Sequence, residues 1–490
     1  MRQRLSVDLP GVLFFTVLGF LVMGYHPGLE DDGVYLSAVK ARLNPALFLF
    51  DARFFKLQMQ ATIFDGFMAH FVRWTGMPLA WAELFWQFIS LFLILLATRK
   101  ILNMLFRGDA ARWAGVALVA AMFTLPVSGT ALYMADQHLH PRNLAAALIL
   151  LAVWRILAGN LWQAILLLIF AFAMHPIMGA FGISFCLFLA LTPLGPARFR
   201  LRALRSSAAV FMPLGWVFEP AAPTWLKATE TRHFFFLYQW AWYEWLGALA
   251  PLVFFALLWR FARKRGETQL ARFASAVLFY GIFQQAIAMV LLAPFAPVRL
   301  VPLQPMRYLQ LEYFLFAMTG GAMLGRYLLK MAAWRWAVFL LAVNGGMFLS
   351  QRMELGGVQH LEMPGRQPAN PWLQAFAWIR VNTPVTAYFA LDPHYLEAPG
   401  EDYHSFRALA ERSQLADAIK DAAVVTQVPD LGPTWDRQVA AQQGWRNFQL
   451  ADFERLKSTF GVDWALVSYP QPRGLLCRWH NDSLAVCQIP

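Results

Sequence analysis

Charge is scarce in this sequence. Asp, Glu, Lys and Arg make up 14% of its 490 residues, while 59% are hydrophobic and 43 are Phe. Soluble proteins carry roughly 25% charged residues, so this composition excludes an ordinary soluble fold and points to a polytopic membrane protein. Nucleotide and hydrolase signatures are missing as well. There is no Walker loop, no GxGxxG after a strand, no G-x-S-x-G elbow and no zinc CxxC pair, so nucleotide-driven transport and standard hydrolase chemistry lose support. Internal repeats are not apparent. Of only 3 cysteines, Cys186 lies in an apolar segment and reads as a small core residue. Cys477 and Cys487 flank a polar turn, His480 to Ser483, between two strand-like runs. A hairpin turning near Asp482 sets their sulfurs opposite each other and leaves open a disulfide in an oxidising compartment or two free thiols.

Apolar runs recur along most of the chain. Spanning helices are expected at about 9–25, 79–98, 113–128, 143–158, 161–174, 176–192, 207–219, 246–260, 274–292, 310–328 and 334–350, making eleven. The first keeps the Arg2/Arg4 start of a signal sequence, but no A-x-A-like cleavage site follows, so it is read as a span. With the N-terminus inside, the inside segments collect bases from Arg2 to Arg335 against only Asp8, Asp109 and Glu267. Basic residues favour the cytoplasmic side. The net charge of +12 therefore reflects topology and implies no nucleic-acid partner. An odd number of spans puts the C-terminal region outside.

Three regions follow: a transmembrane domain over 1–350, a linker over 351–371 and a small extracytoplasmic α/β domain over 372–490. Within the first, a long outside loop at 26–78 holds two amphipathic stretches, Tyr35 to Leu49 and Phe54 to Trp74, suited to helices lying along the membrane interface. In the tail, Trp372–Val381, Phe406–Ala422 and Phe448–Phe460 read as helices, and Ala387–Leu391 and Trp464–Ser468 as strands.

The polar residues outside fall into a chemical pattern. An acidic cluster, Glu30-Asp31-Asp32, stands just past the first span, where a charge beside hydrocarbon needs solvent, a partner or a job. Further along come Asp51 and Arg53, then Asp136, His138, His140 and Arg142, then His175 and Arg232, and finally Arg299, Gln304 and Arg307. A carboxylate can take an acceptor's proton as general base. Guanidinium groups can hold a phosphate and stabilise the charge that builds on it. The aromatic stretch His233 to Trp245 can stack on sugars or form an interfacial belt. Transfer of a sugar from a lipid phosphate needs such a set.

The long acid-bearing first outside loop, the many spans and the extracytoplasmic C-terminal domain together resemble the GT-C superfamily of polyprenyl-phosphate-dependent glycosyltransferases. Leu29 to Tyr35, His140-Pro141-Arg142 and Pro302 to Arg307 look like segments of bacterial GT-C-like membrane proteins. The resemblance implies an all-α polytopic membrane domain with a small α/β domain, placed in the bacterial inner (cytoplasmic) membrane. It also implies a polyprenyl-phosphate sugar donor and a lipid, glycan or protein acceptor. Asp31 or Asp32 becomes the base, and a divalent cation, Mg or Mn, would have Asp31, Asp136 and His138 as candidate ligands. No WWD-type motif occurs, which leaves the branch and the acceptor open.

Other readings compete. Asp31 and Asp32 fit a helix cap opening the Tyr35 helix, and Asp51 fits a surface pair with Arg53 or Lys56. His138 and His140 fit a solvated loop, and His175 a satisfied interfacial residue. For the whole protein the rivals are a transporter or flippase of a lipid-linked or anionic substrate, and a non-catalytic membrane scaffold.

Overall fold

The computed structural model describes residues 2–192, 219–293, 295–397 and 403–490. Helix α1 (Arg2–Met23) packs on α5 (Leu79–Leu105) and α6 (Asp109–Ala121). Between α1 and α5 the long loop folds into α2 (Asp32–Leu43), α3 (Arg53–Met59) and α4 (Phe64–Thr75). A short antiparallel hairpin, β1 (Pro126–Val127) with β2 (Leu132–Tyr133), leads into α7 (Pro141–Leu157). Then come α8 (Leu161–Met174), α9 (Pro176–Leu191), α10 (Pro223–Glu230), α11 (Trp242–Lys264), α12 (Thr268–Leu291), α13 (Leu309–Leu324) and α14 (Ala333–Glu354).

Small residues let these helices approach closely. A Cβ on Gly115 of α6 would stand 2.5 Å from the Met318 carbonyl oxygen of α13, and one on Gly321 of α13 would stand 2.7 Å from that of Ala114. Among the described residues, three helices, α5, α11 and α12, are long and apolar enough to cross a bilayer, and α8, α9 and the Leu9–Met23 part of α1 are shorter apolar helices. The chain therefore reads as an integral membrane protein, while the expected count of eleven spans is not reproduced. The 113–128 segment is one reason: its helix stops at Ala121 and the chain turns into β1. The 207–219 segment lies, but for Glu219, outside the described residues.

The C-terminal region holds α15 (Pro371–Asn382), β3 (Tyr388–Ala390), α16 (Phe406–Ala410), β4 (Ser413–Gln414), α17 (Lys420–Gln427), α18 (Gly432–Ala441), α19 (Leu450–Phe460), β5 (Trp464–Ser468), β6 (Leu476–His480) and β7 (Leu484–Gln488). Its sheet runs in the order β4-β3-β5-β7-β6, parallel across β4, β3 and β5 and antiparallel beyond. The β6–β7 hairpin pairs Cys477 with Cys487, and the two are joined in a disulfide.

Three expectations for these regions are corrected. Phe406–Ala422 is not one helix. Glu411 adopts a left-handed backbone with φ 55° and ends α16, the chain then adds strand β4, and Asp417 starts α17. Phe54–Trp74 likewise divides into α3 and α4, where Thr62 Oγ1 donates to the Met174 carbonyl at 2.6 Å. Helix α2 does not lie free along an interface. Nine of its residues are buried, and Lys40 Nζ donates to the Ala408 carbonyl and to Glu411 Oε1 of the C-terminal region, both at 2.7 Å. A helix covered on both sides needs no membrane to shelter its apolar positions. The boundary between the membrane helices and the tail is also less sharp than composition suggests, because Val424, Val425 and Trp435 share one apolar core with the helices.

Candidate functional site

Two histidine-proline pairs build one wall of the site. His140-Pro141 opens α7 and His175-Pro176 opens α9, with proline at a helix start where no N–H is missed. Each histidine caps its helix through Nδ1, which accepts from Arg142 N at 2.9 Å and from Met178 N at 3.4 Å respectively. An imidazole whose Nδ1 accepts carries its proton on Nε2 when neutral. His140 thereby turns Nε2–H toward Asp31, whose Oδ2 lies 3.7 Å away. The His140 ring sits 5.9 Å from that of His175 and 4.6 Å from that of Tyr35.

Arg142 reaches back from α7. Its Nε and Nη2 fork onto Asp136 at 3.0 and 2.5 Å, a bidentate charge-assisted pair. Its Nη1 stands 3.9 Å from Asp31 Oδ2 and has no hydrogen-bond partner among the described residues. From the opposite side Lys420, the first residue of α17, places Nζ 2.5 Å from Glu30 Oε2 and 3.1 Å from Asp31 Oδ1.

These groups face a cavity of about 960 Å³ lined by Glu30, Asp31, Tyr35, Asp136, Arg142, His175, Arg232, Gln304, Arg307 and Lys420, with Phe234, Phe235, Trp240 and Tyr243 as its aromatic part. Burial pushes the Asp31 carboxyl up, but Lys420, the His140 imidazole and Arg142 outweigh it and hold the group well below the usual carboxylate range. Asp136, subject to the same opposition of burial and Arg142, is held at about 2. Burial, then the charges of His140 and Arg142, keep His175 well below its ordinary value and so neutral. Burial and Arg142 bring Arg307 down to about 10, which leaves it cationic at neutral pH. The cavity thus presents an ionised carboxylate to fixed cations, with a neutral imidazole beside them.

The chain path is similar to that of an oligosaccharyltransferase. Archaeal oligosaccharyltransferase AglB from Archaeoglobus fulgidus in complex with an inhibitory peptide and a dolichol-phosphate is matched at TM-score 0.48 and 12% identity, over 94% of this chain and 69% of that one. The apo form of the Archaeoglobus fulgidus oligosaccharyltransferase gives TM-score 0.49 and 12% identity over 94% and 69%. Its complex with Zn and sulfate gives 0.46 and 13% over 94% and 68%. No family model and no curated protein matches the sequence.

Other expected site residues stand apart from the cavity. Asp32 is buried and its Oδ2 accepts from Gly28 N at 2.6 Å; burial pushes its carboxyl up to about 7 against that bond. The helix-cap reading of Asp31 and Asp32 is not met either, since the start of α2 has no side-chain cap. Asp51 is an internal strut. Its Oδ2 accepts from Arg407 Nε at 2.5 Å and from Gln414 N at 3.0 Å, so the expected surface pair with Arg53 or Lys56 is replaced by a buried one. Arg53 is exposed and lines no part of the cavity. His138 is buried with both ring nitrogens lacking a hydrogen-bond partner among the described residues. Arg299 donates to the carbonyls of Glu219 and Pro220 at 2.9 and 2.8 Å, away from the cavity. Arg232, which does line it, is held by a hydrogen bond to the Ile419 carbonyl.

The candidate cation set of Asp31, Asp136 and His138 is not assembled. The Arg142 fork occupies both oxygens of Asp136, and its Nη1 stands 3.9 Å from Asp31 Oδ2. Among the described residues, the metal-ligating side chains close enough to share an ion are instead His26, Glu362 and His404. Sequence reasoning missed Lys420. The one local signal is Asp417, whose Oδ1 accepts from the backbone N–H of Ile419, Lys420 and Asp421 at 2.9, 2.6 and 3.2 Å and so starts α17. That signal locates a helix and says nothing of the cavity.

Proposed function

We propose that this protein is a membrane glycosyltransferase that moves a sugar from a polyprenyl-phosphate donor to an acceptor at the extracytoplasmic face. The observation that carries the reading is that Asp31, Arg307 and Arg232 line one cavity. Asp31 is the base. It takes the proton from the acceptor's nucleophilic atom as that atom's lone pair bonds to the sugar's anomeric carbon, while the bond from that carbon to the phosphate oxygen breaks and the polyprenyl phosphate leaves with its electron pair. Arg307 and Arg232 stabilise the phosphate as its charge grows. Arg142 and Lys420 keep Asp31 ionised and in place. Phe234, Phe235, Trp240 and Tyr243 offer apolar surface to the sugar face or the first isoprene units.

The test is native mass spectrometry of gently purified protein. A bound polyprenyl-phosphate sugar is expected in the wild type, with its mass identifying the sugar, and is expected to be lost in Arg307→Ala. Ordinary phospholipids alone in both proteins would argue for the transporter or scaffold reading.

A further inference from the structure

Away from the cavity, three distant segments bring ligating side chains together. His26 follows α1, Glu362 belongs to the connection between α14 and α15, and His404 precedes Ser405, the cap of α16. His26 Nδ1 lies 3.1 Å and His404 Nε2 2.7 Å from the same oxygen, Glu362 Oε2, and the ligand atoms all lie within 4.8 Å of one another. His26 is 0% exposed, and the side chains of His404 and Glu362 are 4% and 13% exposed. None of the three lines the cavity.

We propose that His26, Glu362 and His404 bind a divalent transition-metal ion of the Zn²⁺ class, which fastens the first outside loop to the linker and the C-terminal region. Zinc bonds to imidazole nitrogen and carboxylate oxygen are about 2.0–2.2 Å, so ligand atoms at two corners of its tetrahedron stand roughly 3.3 Å apart. The two His–Glu separations are already near that length. Two imidazoles and one carboxylate make a borderline donor set that suits zinc better than Mg²⁺ or Ca²⁺, which prefer all-oxygen shells. Three protein ligands leave the fourth position to water.

The backbone holds the ligands in register. Tyr25 N donates to the His360 carbonyl at 3.0 Å, Glu362 N to the Tyr25 carbonyl at 2.9 Å, and Ser405 N to the Gly28 carbonyl at 2.8 Å. Each ligand is therefore next to a residue whose backbone is tied across segments, the rigidity a preformed site needs. The site is structural and its occupancy does not depend on the transfer reaction.

Full-length protein purified in detergent without chelator is measured by elemental mass spectrometry, then stripped with EDTA and titrated with ZnCl₂ by calorimetry. About one zinc per chain is expected in the wild type, with affinity reduced on the order of 100-fold or more in Glu362→Gln and His404→Ala. Glu362→Gln is nearly isosteric and is required to elute as a single species, so loss of binding there is not loss of fold. Asp136→Ala is expected to bind zinc as the wild type does. Absence of zinc binding by monodisperse wild type overturns the site, as does unchanged binding in both ligand variants. Binding lost in Asp136→Ala but kept in His404→Ala would move the ion to the cavity and also overturns it.

Discussion

Asp31 and Asp32 are neighbours in sequence with opposite electrostatics. Asp31 faces the cavity and is held ionised by Lys420, while Asp32 points inward to the Gly28 N–H and titrates near 7 because it is buried. Asp31→Asn is therefore expected to lower the rate of sugar transfer by about 10²–10⁴, whereas Asp32→Asn keeps it within a few fold, both read from lipid-linked sugar turnover in detergent. Asp32 bears instead on stability. Its folded-state pKa stands above the unfolded value near 4, so the fold favours the protonated form. That contribution is fully present below about pH 4 and is lost as pH rises through 7. The melting temperature of the wild type is expected to fall between about pH 4 and pH 7 and to level off above that, and Asp32→Asn to flatten that part of the profile.

Helix starts decide where the site's side chains point. His140, Arg142 and His175 were readable in the sequence as candidates because they are polar residues expected at the outside ends of spans. Their roles as caps were not, because the cap is a backbone contact that residue type alone leaves open. Lys420 was unreadable for a related reason. Its position is fixed by Asp417, three residues earlier, and by packing of α17 against α10 and α3. Asp417→Ala removes a side chain that accepts from three backbone N–H groups and is expected to cost about 1–2 kcal/mol. Thermal unfolding is expected at lower temperature, and proteolytic cleavage near α17 to quicken; unchanged protection there would contradict the cap.

The whole molecule is joined by ion pairs between residues hundreds of positions apart. Arg407 gives Nε to Asp51 of the first loop and its two terminal nitrogens to Asp421 at 2.8 and 2.7 Å, all three residues being buried. Removing one partner strands the other charges in the interior, so Arg407→Ala is expected to destabilise by about 3–5 kcal/mol, seen as a markedly lower melting temperature in detergent. Arg407→Lys keeps the charge but not the fork and is expected to recover only part of the loss.

Composition and apolar runs by themselves determined that the chain belongs to a membrane, that its tail has a different character, and which residue types gather at the ends of its helices. Those properties are local or additive, and a sequence states them directly. Tertiary structure alone decided that Asp31 and not Asp32 faces the cavity, that Asp51 and Arg299 are spent on internal contacts, that α2 is covered by the tail, and that Lys420 completes the acid site. Each of these depends on which distant segment fills the space beside a charge. A buried charge is tolerable only with a partner, and partners 356 to 390 residues away are chosen by packing, which no local pattern encodes.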